Sequence, residues 1–360
     1  MLAWLLGGSG LAQSNKKLDP DAGYIPTVAP EDGKKKKKNQ DVTQALALPP
    51  ELPAAVVAET DRLAFQVTPL TAKGLLSQQT REALKFLLRS SHGPIVKLRA
   101  FVAGSGDLRR IGEIAGEMFQ EKHMALPALS VAQVGALPLE GSQVVLEATE
   151  TDRRNVNPSG VAFVAAQPAQ SVADSLAKIK SALASAGIAV SGALIVTCFV
   201  SSFDAQPDTQ QAMSAIFPGA ALNYVQMQRA PVTPPASCEA VARLSQAASS
   251  TNASPDSGIA LVAAPEIVIS GMQLAFGSQD SDFKLAFGRL EKALAARNAR
   301  FDRVVISHLY VTSPALTARV IALEPANIPR SVLPVEALPS LDSSFGLEVI
   351  AVPDSASSRP

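Results

Sequence analysis

The sequence is poor in the residues that usually build metal or redox sites. Only two cysteines, Cys198 and Cys238, occur in 360 residues, too few for a disulfide scaffold, and they lack metal-ligand spacing. We interpret them as small buried residues on strands, which could pair if the protein is exported. The three histidines, His92, His123 and His308, fall in no ligand motif. We therefore predict no metal and no cofactor, and expect His308 to be a core or interface histidine.

Excess charge of one sign and aromatic residues are also lacking. Thirty-two basic and thirty-two acidic residues cancel, and aromatic residues make up 5% of the chain. No long-range field therefore attracts nucleic acid, and little surface is available to stack bases. No phosphate-binding glycine loop or Ser-His-Asp order is present. We expect no nucleic-acid partner and, because no run of 18 apolar residues follows the N-terminus, no transmembrane segment.

The first 50 residues differ in composition from the rest. Residues 1–12, within "MLAWLLGGSGLAQS", resemble the end of a signal peptide. This predicts export to the periplasm or the outside, with the true start upstream of Met1; the alternative is a cytoplasmic protein with an apolar tail. Residues 13–50 are polar and contain five consecutive lysines, Lys34 to Lys38. Like charges repel one another, so we predict a disordered Lys-rich linker.

The remaining chain repeats one pattern three times. Hydrophobic residues recur at helical spacing in "SVADSLAKIKSALASAG" and "SDFKLAFGRLEKALAARN", and a strand follows each helix. Each of these strands, and "IVKLRAFV" in the first third, ends in an aromatic residue followed by valine. We predict three units, at 51–150, 157–247 and 256–353, each with strands, helix, strand, helix and two strands. This order predicts an α+β sandwich with both helices on one face of a sheet.

The face of each predicted sheet that is opposite the helices must be shielded from solvent. An exposed apolar sheet face of several hundred square ångströms drives association. Three tandem units can cover one another, so we predict a compact intrachain pseudo-trimer with the sheets facing inward. The protein is then expected to be a monomer in solution.

Several motifs are similar to those of the RidA/YjgF family, also called L-PSP endoribonuclease-like proteins. They are "IVKLRAFV" with the closing "VGALP", "VISGMQ", and "PRSVLPVEALP". The family resemblance implies a chorismate-mutase-like fold, which the family uses as homotrimers with ligand clefts between subunits. This chain then resembles such a trimer fused into one polypeptide.

The resemblance also implies a binding site. In the family, a signature arginine binds the carboxylate of an imino acid, and Arg330 matches it, whereas Leu129 and Leu222 occupy that position in the other copies. A planar guanidinium can donate two parallel hydrogen bonds to a carboxylate. Ser270 and Gly271 are candidates to line the same cleft. The alternative for Arg330 is an ion pair with an acid of a neighbouring unit.

This chain matches the catalytic residues of the family less well than the binding residue. Active family members have a glutamate two residues before the final-strand glutamate, and Val145, Ser237 and Gly346 stand there in this chain. No carboxylate remains to activate water. The final-strand glutamates Glu147, Glu239 and Glu348 are kept; we interpret them as structural. The shorter spacing from the aromatic residue to the signature position also predicts that the third copy has lost most of its second helix.

Three functions remain open. The first is a catalytically degenerate Rid-like protein that binds a small carboxylate metabolite or a partner at an inter-unit cleft. The second is an imine or enamine deaminase that hydrolyses 2-imino acids to 2-keto acids and ammonia in one cleft around Arg330. The third is a secreted structural scaffold. Endoribonuclease activity is the weakest possibility, because the chain has no net positive charge.

Overall fold

A computed structural model describes residues 50–229, 232–324 and 327–354. The predicted signal-peptide remnant, 1–12, and the predicted linker, 13–50 apart from Pro50, lie outside the described residues. The described part contains sixteen strands and six α-helices. In the first third they are β1 (Ala55–Glu59), β2 (Leu63–Val67), α1 (Leu76–Ser90), β3 (Ile95–Ala103), α2 (Arg109–Glu121), β4 (Ala128–Val134) and β5 (Val144–Thr151).

The middle and last thirds repeat this order of elements. The middle third contains β6 (Val161–Ala169), α3 (Val172–Ser185), β7 (Ala193–Val200), α4 (Thr209–Ile216), β8 (Ala221–Gln226) and β9 (Ala236–Arg243). The last third contains β10 (Asn252–Ser254), β11 (Ile259–Val262), β12 (Glu266–Ser270), β13 (Gln273–Phe276), α5 (Asp280–Ala295), β14 (Val304–Val311), α6 (Pro314–Leu323), β15 (Arg330–Pro334) and β16 (Ser343–Ala351). The predicted α+β architecture of three tandem units is confirmed.

Three sheets share one topology. Their strand orders are β2-β5-β3-β4, then β10-β11-β6-β9-β7-β8, and then β1-β12-β16-β14-β15 with β13 paired to β16. In each sheet a central strand pairs in parallel with the strand that follows its second helix: β3 with β4, β7 with β8, and β14 with β15. The helix between the two parallel strands is the crossover that such a pairing requires.

The sheet boundaries differ from the predicted chain boundaries because strands are exchanged between units. β1, predicted in the first unit, pairs with β12 of the third, where Ala55 lies opposite Ser270. β11, predicted in the third unit, pairs with β6 of the second. The chain leaves β1 through a short 3-10 turn, Thr60–Arg62, and enters β2 in the first sheet. Backbone hydrogen bonds therefore join the beginning of the described chain to its last third.

Alternation along the central strands explains the aromatic-valine pairs. Val102, Val200 and Val311 pack under the helices of their own units. The preceding residues, Phe101, Phe199 and Tyr310, point to the opposite face and share one buried cluster drawn from all three units. Successive strand residues face opposite sides of a sheet. The valine of each pair therefore packs in the core under the helices, and the aromatic residue packs in the cluster shared by the three units. The inner sheet faces are thus covered by one another.

The second helices do not shorten as expected. α2 has 13 residues, α4 has 8 and α6 has 10. The prediction that the third copy lost most of this helix is wrong, because α6 retains nearly three turns. The shorter chain is accounted for mainly by the link before the helix, which has two residues between β14 and α6 and five between β3 and α2, and by the three fewer residues of α6. Pro314 at the first turn and the Ser313 hydroxyl, which accepts a hydrogen bond from the Ala315 backbone N–H, begin α6 efficiently.

The two cysteines form a disulfide inside the second unit. Cys198 and Cys238 lie directly opposite each other on β7 and β9, and both are fully buried. They are separated by 40 residues in sequence, and closing a loop of that size stabilises the folded state by about 4 kcal/mol in the chain-entropy model. Among the described helices, none is long and apolar enough to cross a membrane.

The fused arrangement predicts the mass in solution. Because the inner faces are covered within one chain, we expect light scattering coupled to size-exclusion chromatography to give the 37.5 kDa of one chain. A particle of about three times that mass would show that the units cover one another between chains rather than within one.

Candidate functional site

A layer of polar residues crosses the centre of the molecule, where the three sheets face one another. Each unit supplies a glutamate from its last strand, a residue opposite it on the central strand, and a residue on the adjacent parallel strand. We call this set, together with Lys97, the polar ring: Arg99, Ser130 and Glu147; Thr197, Asn223 and Glu239; His308, Ser331 and Glu348.

Glu147 of the first unit is held by the second. Its Oε1 accepts hydrogen bonds from Thr197 Oγ1 at 2.5 Å and from Asn223 Nδ2 at 2.7 Å. The three side chains are almost completely buried. A buried carboxylate is tolerated only where donors replace the lost water, and here the donors come from the neighbouring unit.

Glu239 of the second unit is held in the same way by the third. Its Oε2 accepts a hydrogen bond from Ser331 Oγ at 2.7 Å and lies 3.3 Å from His308 Nε2. The other ring nitrogen of His308 lies 3.8 Å from Glu348 Oε1. His308 is therefore an interface histidine between two carboxylates, and its side chain is 12% exposed.

Glu348 of the third unit is held by the first, which closes the ring. Its Oε2 contacts Lys97 Nζ and Ser130 Oγ, and its Oε1 accepts a hydrogen bond from Tyr310 Oη at 2.7 Å. Each unit's glutamate is thus bound by the unit that follows it around the axis. These contacts fix the cyclic order first, second, third.

Arg99 touches all three glutamates. Its Nη1 donates to Glu239 Oε1 at 2.6 Å and to Glu147 Oε2 at 3.2 Å, and its Nε lies 3.3 Å from Glu348 Oε1. The carboxylates, with burial opposing them, raise the pKa of Arg99 further above its usual range. One guanidinium therefore ties the three units together at the axis.

Lys97 has the surroundings of an ammonium group. Its Nζ contacts Ser130 Oγ at 2.7 Å, the Ser270 backbone oxygen at 2.6 Å, and Glu348 Oε2. Three acceptors match the three N–H donors of the charged form. Burial lowers the pKa of Lys97, and the Glu348 carboxylate opposes that effect.

The cations keep two of the carboxylates ionised. Burial disfavours the charged form of Glu348, but Lys97 and Arg99 outweigh burial and lower the pKa of Glu348 to about 2. For Glu239, burial is likewise outweighed, by Arg99, His308 and the Ser331 hydroxyl, so its pKa lies well below its usual range. Burial and the neighbouring carboxylates raise the pKa of Tyr310, despite the opposing charge of Arg99, so its hydroxyl stays a donor.

A small cavity of about 80 Å³ adjoins the polar ring. Ring residues form its polar wall, and aliphatic and aromatic side chains of all three units form the rest. Arg99 Nη2 is buried and has no hydrogen-bond partner within the described residues. The remaining ring contacts satisfy one another, so the ring has the character of a structural centre rather than of an open reaction site.

A separate cleft lies between the first and third units. It has a volume of about 150 Å³, and Leu129 and Val131 face Met272 and Leu274 across it, with Arg109 among the lining residues. The Met272 backbone N–H donates to the Leu129 carbonyl at 3.0 Å, so the two units are joined by a backbone hydrogen bond beside the cleft. Arg109 is 72% exposed and contacts Asp107 at 3.1 Å.

Comparison with known proteins gives structural matches only. No protein-family model matches the chain, and no curated protein sequence does. The chain is similar to YjgF-family proteins. Yeast Mmf1 is 22% identical over 24% of this chain and 80% of its own, with a TM-score of 0.23.

Two further solved structures show the same extent of similarity. Rv2704 from Mycobacterium tuberculosis, a member of the YjgF/YER057c/UK114 family, is 24% identical over 24% of this chain and 78% of its own, with a TM-score of 0.22. YyfA from Yersinia pestis, of the conserved Rid protein family, is 18% identical over 24% of this chain and 79% of its own, with a TM-score of 0.22. The similarity concerns the fold and gives no information about a substrate of this protein.

The family's signature position is occupied by an internal ion pair in the third unit. Arg330 Nε donates to Glu324 Oε2 at 2.7 Å, and the Glu324 side chain is fully enclosed. The sequence left open a ligand carboxylate or an acid of a neighbouring unit; the acid found belongs to the same unit. Burial raises the pKa of Glu324, and Arg330 opposes that effect.

Ser270 and Gly271 meet the first unit. The Ser270 carbonyl accepts from Lys97, and its hydroxyl accepts from the Val349 backbone N–H at 2.8 Å. A Cβ on Gly271 would lie 3.0 Å from the Leu129 carbonyl, so the close approach of the two backbones favours glycine. Ser270 thus lines the small cavity beside the polar ring, Gly271 lies against the backbone of Leu129, and neither shares a site with Arg330 and Glu324.

The three positions of the family's second glutamate hold no acid, and the structure shows what replaces it. Val145 is buried in the shared inner cluster. Ser237 is buried, and its Oγ has no partner within the described part of the chain. At Gly346 a Cβ would lie 2.8 Å from Met272 Sδ, so the methionine occupies the space of a side chain.

Sequence reasoning missed the donors of the polar ring. Lys97 and Arg99 are two charged residues at alternate positions of the otherwise apolar strand "IVKLRAFV". That alternation places both on one face, and charges inside a predicted core strand were the available signal. Thr197, Asn223 and Ser331 gave none, because single small polar residues are common in strands.

Removing Arg99 is expected to destabilise the protein strongly. Arg99→Met leaves three buried carboxylates without their shared cation, and loss of one partner of a buried ion pair costs about 3–5 kcal/mol. Urea unfolding measures the change. Arg110→Met is the matched control, because Arg110 is 47% exposed and forms a surface ion pair with Glu113; a surface pair contributes about 1 kcal/mol or less. Equal effects of the two substitutions would contradict the role given to Arg99.

The lowered carboxylate pKa values predict a loss of stability in acid. The native state binds fewer protons than the unfolded state, so this stability is complete above the unfolded pKa of 4.5 and is lost as pH falls towards the folded value of about 2 for Glu348. We expect the urea midpoint to fall steeply between those pH values. Glu348→Gln should flatten the dependence, and an unchanged slope in this variant would contradict the assignment.

Proposed function

We propose that this protein is a Rid-like binding protein that does not hydrolyse imines, and that the cleft between its first and third units binds a small carboxylate with an alkyl side chain. The observation that carries the proposal is the replacement of the signature arginine by Leu129 in an open inter-unit cleft. A ligand's alkyl group would contact Leu129, Met272 and Leu274. Its carboxylate would meet Arg109 at the exposed side.

Arg109 can change partner at little cost. Its contact with Asp107 is an exposed ion pair, and such pairs contribute about 1 kcal/mol or less. A ligand carboxylate that forms two parallel hydrogen bonds to the guanidinium can therefore compete with Asp107. The apolar walls would supply most of the affinity, because burial of each CH₂ group is worth about 0.8 kcal/mol.

The deaminase alternative has less support. Its arginine, Arg330, already binds Glu324, and a substrate carboxylate would have to displace an enclosed internal one. Val145, Ser237 and Gly346 provide no carboxylate near the final-strand glutamates to activate water. No geometric feature of the described residues specifically favours the scaffold alternative. That alternative is retained if no ligand binds in the test below.

Binding is tested by calorimetry with 2-oxo carboxylates of increasing chain length. We expect affinity to rise about fourfold per methylene until the cleft is full, the factor that corresponds to 0.8 kcal/mol. Leu129→Trp fills the cleft and should abolish binding. Leu285→Trp is the matched control, because Leu285 is 62% exposed on α5 and is not one of the residues that line the cleft. Binding that survives Leu129→Trp would exclude this cleft.

Imine hydrolysis is measured in parallel. Imino acids are generated with an amino-acid oxidase, and their loss is followed with and without the protein. We expect no acceleration. An acceleration that disappears in Arg330→Ala would overturn the proposal in favour of the deaminase, whereas no binding and no acceleration would favour the scaffold.

A further inference from the structure

His92, Glu150 and Asp152 converge at one end of the first sheet. The Nδ1 atom of His92 lies 3.9 Å from Glu150 Oε1 and 4.0 Å from Asp152 Oδ2, and the three candidate ligand atoms all lie within 4.8 Å of one another. Glu150 and Asp152 are two residues apart at the end of β5, so strand alternation places both on one face. His92 comes from the loop after α1.

Glu150 is a buried carboxylate with few partners. Its side chain is 2% exposed. Its Oε2 accepts one hydrogen bond, from the His92 backbone N–H at 3.1 Å. Among the described residues, no hydrogen bond to Oε1 is found and no lysine or arginine pairs with this carboxylate. A buried carboxylate normally requires a cation or several donors, and among these residues Glu150 has the single donor of His92.

The backbone holds His92 against the two acids. A Cβ on Gly93 would lie 1.8 Å from the Thr151 carbonyl, so the loop can approach β5 this closely only with glycine there. The Thr151 backbone N–H donates to the Pro94 carbonyl at 2.9 Å. The imidazole itself is 65% exposed, so it can rotate towards the acids while its Cα stays fixed.

We propose that His92, Glu150 and Asp152 form a binding site for a divalent transition-metal ion such as Zn²⁺. Zinc binds imidazole nitrogen and carboxylate oxygen at about 2.0–2.2 Å. The imidazole nitrogen must therefore approach each of the two carboxylate oxygens by roughly half an ångström, and rotation of the exposed imidazole can supply this movement. The metal would give Glu150 a cation that none of the described lysines and arginines supplies. Magnesium is disfavoured because it avoids imidazole.

Arg154 competes for the site. Its guanidinium donates to both oxygens of Asp152, at 3.2 Å each, and the Arg154 side chain is 73% exposed. A metal ion bound by Asp152 Oδ2 replaces the contact from Nη2. Removing this guanidinium therefore frees a ligand and should tighten metal binding, an effect not expected of a metal bound elsewhere on the surface.

The test is titration of the full, untagged chain with Zn²⁺ by calorimetry, with Mg²⁺ as the comparison. We expect one Zn²⁺ per chain and no response to Mg²⁺. His92→Ala should weaken binding by more than about tenfold, the lower end of the loss caused by an outer-shell change, and Glu150→Gln should do the same. Arg154→Ala should strengthen it. His123→Ala is the matched control at another exposed histidine and should have no effect.

His92 is exposed, so its substitution should leave the fold intact. The Zn²⁺ affinity of His92→Ala can therefore be interpreted even if Glu150→Gln is unstable. Absence of Zn²⁺ binding, or equal affinity in wild type and His92→Ala, would overturn the proposal. Weaker binding in His123→Ala with no change in His92→Ala would place the metal elsewhere.

Discussion

The three final-strand glutamates determine how the units fit together. Each is buried at the centre and needs donors there, and each has at least one donor in the next unit. Ion networks of this kind add little net stability compared with apolar packing, but a misplaced unit would leave a charge buried without partners. The polar ring therefore specifies the order and register of the units, while the apolar clusters on either side supply the driving force for packing.

Fusion of the units permits a centre that identical subunits cannot build. A symmetric trimer repeats each side chain three times around its axis, and three guanidinium groups in place of Arg99 would repel one another. One chain can place Arg99, Thr197 and His308 at the three equivalent positions opposite the glutamates. A single arginine then contacts all three carboxylates. The exchange of β1 into the third sheet closes the same ring through the backbone.

Much of the fold could be predicted from sequence because periodicity reports local burial. The strand predicted after the helix "SVADSLAKIKSALASAG" is β7, and the aromatic-valine pairs mark both faces of the central strands. The exchange of β1 and β11 could not be predicted, since it depends on which sheet edge lies nearest in space. Arg99 and its partners were missed for the same reason: they are separated by up to 249 positions along the chain, between Arg99 and Glu348. Arg330 is the converse case. Its motif was recognised in the sequence, but its partner Glu324, which lies only six positions away, was not predicted.

The surroundings of the signature position differ between the first and third units, and each difference has a physical consequence for the ligands that could bind there. In the third unit, Arg330 keeps its charge but binds an enclosed carboxylate of its own unit. At the junction of the first and third units, Leu129 removes the charge, and Met272 fills the space at Gly346 where a catalytic side chain would stand. An apolar wall strengthens contacts with alkyl groups but provides nothing that orients water. Under the proposed function, the features that leave water without an orienting carboxylate are therefore the same ones that favour alkyl binding.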